Sequence, residues 1–196
     1  MKKKIFLPIL ALAIVLVAVS CDKEEFSREN RGSKAAAGAT ADLKKAPAPG
    51  ELSIAEIAIE GGFTQLVGLL QFVDAELNAG LVDLFLNGKD QYTVFAPTDE
   101  AFAKLFAFIE ENEVVVTPEL VLDILLYHVA EGRRAANSVV PPTGTRKITT
   151  LLEKTFEVNS KGEIKDLFGQ TAKITGPNVS ASNGIIHIID TVILPL

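Results

Sequence analysis

The chain has 196 residues, with 19 basic and 25 acidic side chains and a formal net charge of −6. This balance excludes a typical nucleic-acid binder, because such proteins present a basic surface to phosphates. A single Cys excludes a disulfide framework and any metal site built from several cysteines. Two His and no Trp leave few metal ligands and few rings for stacking on sugars. We therefore expect an acidic protein with no metal and no cofactor.

The first twenty residues have the pattern of a secretory signal peptide. Residues 2–4 are lysines, and residues 5–19 carry no charge. This apolar run is shorter than the roughly 20 residues that span a bilayer, and a small residue, Ser20, follows it. The sequence thus predicts an export signal over residues 1–20.

The stretch A-V-S-C at 18–21 resembles a bacterial lipobox, which implies that Cys21 is lipidated and becomes the first residue of the mature chain. Several acyl chains would anchor the protein stably to a membrane. The following D-K-E-E at 22–25 is similar to the acidic leader of surface-exposed lipoproteins, whereas Asp directly after the Cys indicates inner-membrane retention in enteric-type bacteria. Both interpretations stay open, and we favour the outer membrane of the bacterial envelope.

Residues 21–50 are poor in apolar residues and are predicted to form a lipidated tether before a folded domain at 51–196. Charge is uneven along this domain. Residues 51–123 hold 14 acidic and two basic side chains, whereas residues 124–196 hold six acidic and eight basic ones.

The first half of the domain has helical signals. Ser53 and Glu56 form a capping box, and glycines end this helix at 61–62. An apolar stripe predicts a second helix over 63–77, followed by a short turn at 81–86. A β-prone run at 92–96 ends at Pro97, after which Thr98 caps a third helix with Asp99 in its first turn. Its predicted buried stripe is Phe102, Leu105, Phe106 and Ile109.

A cap and a proline at 117–118 predict a fourth helix with Leu120, Ile124 and Tyr127 facing inward. After residue 127 the pattern changes to short strands, such as 155–158, separated by turns. Residues 185–189 are apolar on both faces and indicate a central, doubly covered strand. Together these elements predict an α+β fold with helices packed on one side of a mostly antiparallel sheet or sandwich.

Three stretches resemble the signature motifs of a fasciclin domain: Y-T-V-F-A-P-T-D-E-A-F (92–102), Y-H-V (127–129) and S-N-G-I-I-H-I-I-D-T-V-I-L-P (182–195). The resemblance implies a wedge-shaped β-sandwich flanked by helices, acting as an extracellular adhesion or interaction module without a cofactor or an active site. In animal members the Tyr-His stretch is linked to integrin contact, which the resemblance carries to Tyr127 and His128. The motif residues taken as structural are Thr98, Asp99, Asn183, Gly184, His187 and Asp190.

Few residues of the domain suggest chemistry. His128 is interpreted either as a core histidine bonded to the backbone or as a partner contact, and His187 as a core residue. His187 and Asp190 would point to opposite faces of a strand, so they do not form a metal pair. Arg133 and Arg134 form a basic pair on a solvated loop or a site for an anionic partner.

Three function classes remain. The first is a membrane-anchored module that binds a protein or a polysaccharide without catalysis. The second is a binder of a small apolar ligand such as a pigment or lipid, because the eleven Phe of the chain could line an apolar crevice. The third is a hydrolase using His128, for which no nucleophile motif such as G-x-S-x-G is present.

Overall fold

The computed structural model describes residues 49–196. The predicted signal peptide, Cys21 and the tether up to residue 48 lie outside the described residues. At the start of the described part, the Gly50 amide donates to the Ala181 carbonyl at 3.2 Å. Gly50 therefore already contacts the folded domain.

Helices dominate the first half of the domain, and strands dominate the second. The helices are α1 (Ile54–Glu60), α2 (Thr64–Leu77), α3 (Leu81–Asn87), α4 (Asp99–Glu111), α5 (Pro118–Tyr127) and α6 (Ala136–Val139). The strands are β1 (Tyr92–Pro97), β2 (Val129–Glu131), β3 (Thr145–Thr149), β4 (Thr155–Asn159), β5 (Glu163–Lys165), β6 (Thr171–Ala181) and β7 (Gly184–Ile189).

The seven strands are hydrogen-bonded in the order β2-β1-β7-β6-β5-β4-β3. Only the β1–β7 pair is parallel among these strands, and the others are antiparallel. The register of β6 against β7 shifts on both sides of Gly176. Such bulges bend a strand and increase its twist, so the long β6 is where the sheet changes direction.

The sheet folds back on itself around β6. Phe95 on β1 meets Phe156 on β4 edge to face with 5.0 Å between ring centroids, although three strands separate β1 from β4 in the sheet order. One apolar core fills the space between the two halves, with Ile148, Ile164 and Ile189 among its members. This packing, with helices on the outer face, confirms the α+β sandwich predicted from the sequence.

The helices cover the opposite face of β1 and β7. Val94 and Ile186 belong to this second core, together with Leu66, Phe102 and Leu125 from the helices. Because β7 lies between β1 and β6 and has a core on each side, its residues are almost all buried. The prediction of a central, doubly covered strand at 185–189 is confirmed.

Two helix predictions need correction. The short turn expected at 81–86 is the helix α3, because both carboxylate oxygens of Asp74 accept the amides of Leu81 and Val82 at 2.8 Å. The buried residues of α5 are Val121, Leu125 and, as predicted, Tyr127. Ile124 packs partly buried against the helical core, whereas Leu120 is not part of it.

Within residues 49–196, no helix has the length and the apolar character needed to cross a membrane.

Candidate functional site

His128 is a buried, neutral link between α5 and the C-terminal segment. Its side chain is 3% exposed. Nδ1 lies 2.7 Å from the Ile124 carbonyl and therefore donates, while Nε2 accepts the Ile193 amide at 3.1 Å. Burial lowers the pKa of His128 to about 4. Both nitrogens are thus occupied by backbone groups, and the hydrolase hypothesis has no base at this position.

His187 has the same kind of role in the centre of β7. Its Nε2 lies 2.9 Å from the Arg134 carbonyl and donates to it, while Nδ1 accepts the Asn178 amide at 3.3 Å. The ring also packs against Phe95, with 5.5 Å between centroids. Burial lowers the pKa of His187. The residue joins β7 to β6 and to the segment after β2.

Tyr127 is fully buried in the sandwich core, where its hydroxyl donates to the Thr155 carbonyl at 3.0 Å. Burial raises its pKa to about 12. A partner therefore reaches neither Tyr127 nor His128 unless the fold opens. The integrin-type contact that the resemblance implies for these two residues does not fit their geometry, because both side chains are buried and hydrogen-bonded within the domain.

Arg133 is tied to the turn between β6 and β7. Its guanidinium donates to the carbonyls of Ala181 and Gly184 and to the Ser180 hydroxyl, the first at 2.8 Å. Partial burial lowers its pKa. Arg134 is also partly buried, and its Nε donates to the Glu131 carbonyl at 2.9 Å. The two arginines are therefore not a fully solvated pair. Arg133 has a structural role, and Arg134 is kept as the predicted partner contact.

Asn183 and Gly184 in the same turn fasten two helices to the sheet. The Asn183 side chain accepts the Ile54 amide and donates to the Phe85 carbonyl, both at 2.9 Å. A Cβ at position 184 would lie 2.2 Å from the Tyr92 carbonyl oxygen, so only glycine allows this approach. This turn aligns the start of α1, the end of α3 and β1.

The remaining motif residues satisfy backbone groups at element ends. Thr98 caps α4, and the Asp99 carboxylate accepts from the Thr64 hydroxyl and, at 3.1 Å, from the Gln65 amide. These bonds lower the pKa of Asp99. Asp190 accepts the Lys173 amide at 2.8 Å. No group of three or more His, Cys, Asp or Glu side chains in residues 49–196 could hold a metal ion.

The exposed feature that sequence reasoning missed surrounds α4. Seven of the twelve exposed large apolar side chains in the described part lie on this helix and in two loops beside it; we call them the α4 surface. They are Phe106, Phe108, Val114, Val115, Val116, Leu167 and Phe168. The prediction that Phe106 belongs to the buried stripe of α4 is wrong, since this side chain is 41% exposed. The three consecutive valines at 114–116, between two predicted helices, were the sequence signal that could have indicated this exposed surface.

Two hollows flank α4. The groove between α4 and α5 has a volume of about 170 Å³ and is lined by apolar side chains, including Phe106, Val116 and Leu120. On the other side, a hollow of about 350 Å³ lies beside Phe108 and Phe168, whose rings meet edge to face at 5.9 Å. Small-molecule sites usually measure about 300–1,000 Å³. The groove is therefore small for a ligand and suits single side chains.

The sequence profile of the Fasciclin domain matches residues 61–195. The chain belongs to the fasciclin family. It is 33% identical to protein sll1483 of Synechocystis over 162 residues, which cover 80% of this chain and 81% of that protein. It is 35% identical to the immunogenic protein MPB70 of Mycobacterium bovis over 133 residues, covering 67% and 64% of the two chains.

Longer proteins also match. The porcine transforming growth factor-beta-induced protein ig-h3 is 32% identical over 121 residues, which cover 62% of this chain and 17% of that protein. A solved structure of a FAS1 domain pair from the insect cell adhesion molecule Fasciclin I aligns with 68% of this chain and 46% of that chain, at 19% identity and a TM-score of 0.48. Family membership places the domain among adhesion and interaction modules.

Proposed function

We propose that this fasciclin protein is a lipid-anchored module of the bacterial cell envelope that binds a protein or a matrix polymer without catalysis. Lipid on Cys21 is the proposed anchor, and the outer membrane is the proposed location. Weak contacts are sufficient for this role, because many copies anchored on one membrane gain strength through avidity.

The observation that carries the proposal is the α4 surface. Monomeric proteins expose single apolar side chains routinely, but a cluster of them along one helix and its flanking loops marks an interaction site. Phe108 and Phe168 contact each other at the surface, and the 114–116 loop carries Val115 at 79% exposure. In the signature motifs, the side chains of Tyr127, His128, Asn183 and His187 bond to the backbone instead, which leaves the α4 surface as the binding candidate.

The test compares adhesion of cells that carry the full chain with adhesion of cells that carry Phe108→Gln or Phe72→Gln. Phe72 is a matched control, because it is a half-exposed phenylalanine outside the α4 surface, 42% exposed against 38% for Phe108. We expect Phe108→Gln to weaken attachment to other cells or to matrix and Phe72→Gln to leave it unchanged. Cys21→Ala should release the protein from membranes. Attachment that survives removal of residues 51–196 would contradict the proposal.

One observation favours a small apolar ligand as a second candidate. The hollow beside Phe168 is large enough at about 350 Å³, although Lys104 and Gln170 make part of its wall polar. Mass spectrometry and absorbance of the purified protein test this function. A co-purifying pigment or lipid that is lost in Phe168→Gln would support it.

A further inference from the structure

We propose that the groove between α4 and α5 binds a basic amphipathic helix of a partner protein. This inference rests on the proposed interaction function and names the partner's chemistry. The groove is formed by two helices of the acidic half of the domain, and residues of both its walls remain accessible.

The shape of the groove suits the apolar face of a helix. Phe106 and Ile109 form the α4 wall, Leu120 and Ile124 form the α5 wall, and Leu69 of α2 also lines the groove. The ten residues of α5 make a wall about 15 Å long, enough for anchors at positions i, i+3 and i+7 of a docked helix. A volume of about 170 Å³ accommodates such side chains, whereas a free ligand usually fills a larger cavity.

Four carboxylates in or near the groove indicate which charge the partner should carry. Glu110 lines the groove, and Glu113, Glu119 and Asp123 are exposed on the adjoining loop and on α5. None of these carboxylates has a Lys or Arg of residues 49–196 within ion-pair distance. Lys104, the basic residue nearest to Glu110 in sequence, donates to the Asp190 carbonyl instead. An apolar face flanked by Lys or Arg therefore complements this groove.

The experiment uses the chain without residues 1–21 and two synthetic helical peptides that share one leucine face. One peptide carries Lys on its polar face and the other carries Glu, and binding is followed by fluorescence anisotropy. Protein variants are Phe106→Gln with Val116→Gln in the groove, and Phe72→Gln as the control with matched exposure, 42% against 41% for Phe106. Cooperative urea unfolding establishes that each variant is folded.

We expect the Lys peptide to bind at least about tenfold more tightly than the Glu peptide. The groove variant should lose about tenfold in affinity, Phe72→Gln should change it less than about twofold, and about 0.5 M salt should weaken binding, since rim charges are then screened. Equal binding of both peptides, or equal losses in the groove and control variants, would overturn the inference.

Two other occupants give distinct results. A protein that sediments as a dimer and becomes monomeric in the groove variant would mean that a second copy fills the groove. A Lys peptide that binds residues 49–196 but not the longer chain would assign the groove to residues 22–48. Either result would overturn the proposal that the groove binds a different protein. Cell adhesion that is intact while neither peptide binds would sink this inference and leave the proposed function standing.

Discussion

Acid should destabilise this domain through His128, and the effect follows from two hydrogen bonds. In the folded state Nδ1 donates to the Ile124 carbonyl and Nε2 accepts the Ile193 amide. A protonated imidazole carries a hydrogen on both nitrogens, so Nε2 and the Ile193 amide would then be two donors facing each other. Folding therefore selects the neutral ring.

The magnitude follows from the pKa. Burial lowers the pKa of His128 from 6.5 to about 4, so the unfolded chain binds a proton more readily than the folded chain between these pH values. The stabilising contribution is complete above pH 6.5 and is lost progressively as the pH falls towards 4. The loss amounts to about 3 kcal/mol in the free energy of unfolding, a large part of what a domain of this size usually has. His187 adds a loss in the same direction, because its pKa is also lowered.

The assay is urea unfolding of the wild type and of His128→Gln at about pH 7.5 and about pH 4.5. The glutamine variant should be less stable at neutral pH, because one side-chain amide cannot satisfy both backbone groups at these positions. Between the two pH values, however, it should lose about 2–3 kcal/mol less than the wild type. Carboxylates also titrate in this range, but they do so in both proteins and cancel in the comparison.

Parallel pH dependence in the two proteins would refute this reasoning. A second readout is the NMR titration of the ring, which should show a neutral imidazole with hydrogen on Nδ1 down to about pH 5. A His128 ring that titrates near 6.5 in the folded protein would mean that the two hydrogen bonds do not hold it neutral.

Three further substitutions test residues that join elements of the fold, and urea unfolding measures each of them. Asp99→Ala removes the carboxylate that accepts from Thr64 and Gln65 at the start of α2, and should cost about 1 kcal/mol, as lost helix caps do; an unchanged midpoint would rule out this capping. Asn183→Ala leaves the Ile54 amide and the Phe85 carbonyl unpaired in a buried position and should cost about 3 kcal/mol, whereas a cost below about 1 kcal/mol would mean that water replaces the side chain. Arg133→Lys should be nearly as destabilising as Arg133→Met, because an ammonium cannot reproduce the forked contacts to the β6–β7 turn.

Local sequence signals predicted the elements whose ends are built from neighbouring residues. The capping box of Ser53 and Glu56, the Thr98 cap and the Thr117–Pro118 start are all formed as expected. The apolar run at 185–189 likewise predicted a strand covered on both faces, because its composition needs no knowledge of its neighbours.

Features decided by side chains outside the element itself could not be predicted in this way. The α3 helix depends on Asp74, seven residues before its first turn, and the role of Arg133 depends on a turn almost fifty residues away. The burial of His128 depends on the C-terminal segment at Ile193. In each case the local sequence allows several outcomes, and the tertiary contact selects one of them.

The distribution of these contacts separates the residues that make the fold from those available to a partner. Within the three signature stretches, Tyr127, His128, Asn183 and His187 have their polar atoms bonded to the protein's own backbone. The α4 surface lies between the stretches, at 106–116 and 167–168. A chain can therefore keep the signature and the fold while those exposed segments change. It follows that partner specificity in this protein should respond to substitutions at α4 and its flanking loops, and that substitutions in the signature should act on stability first.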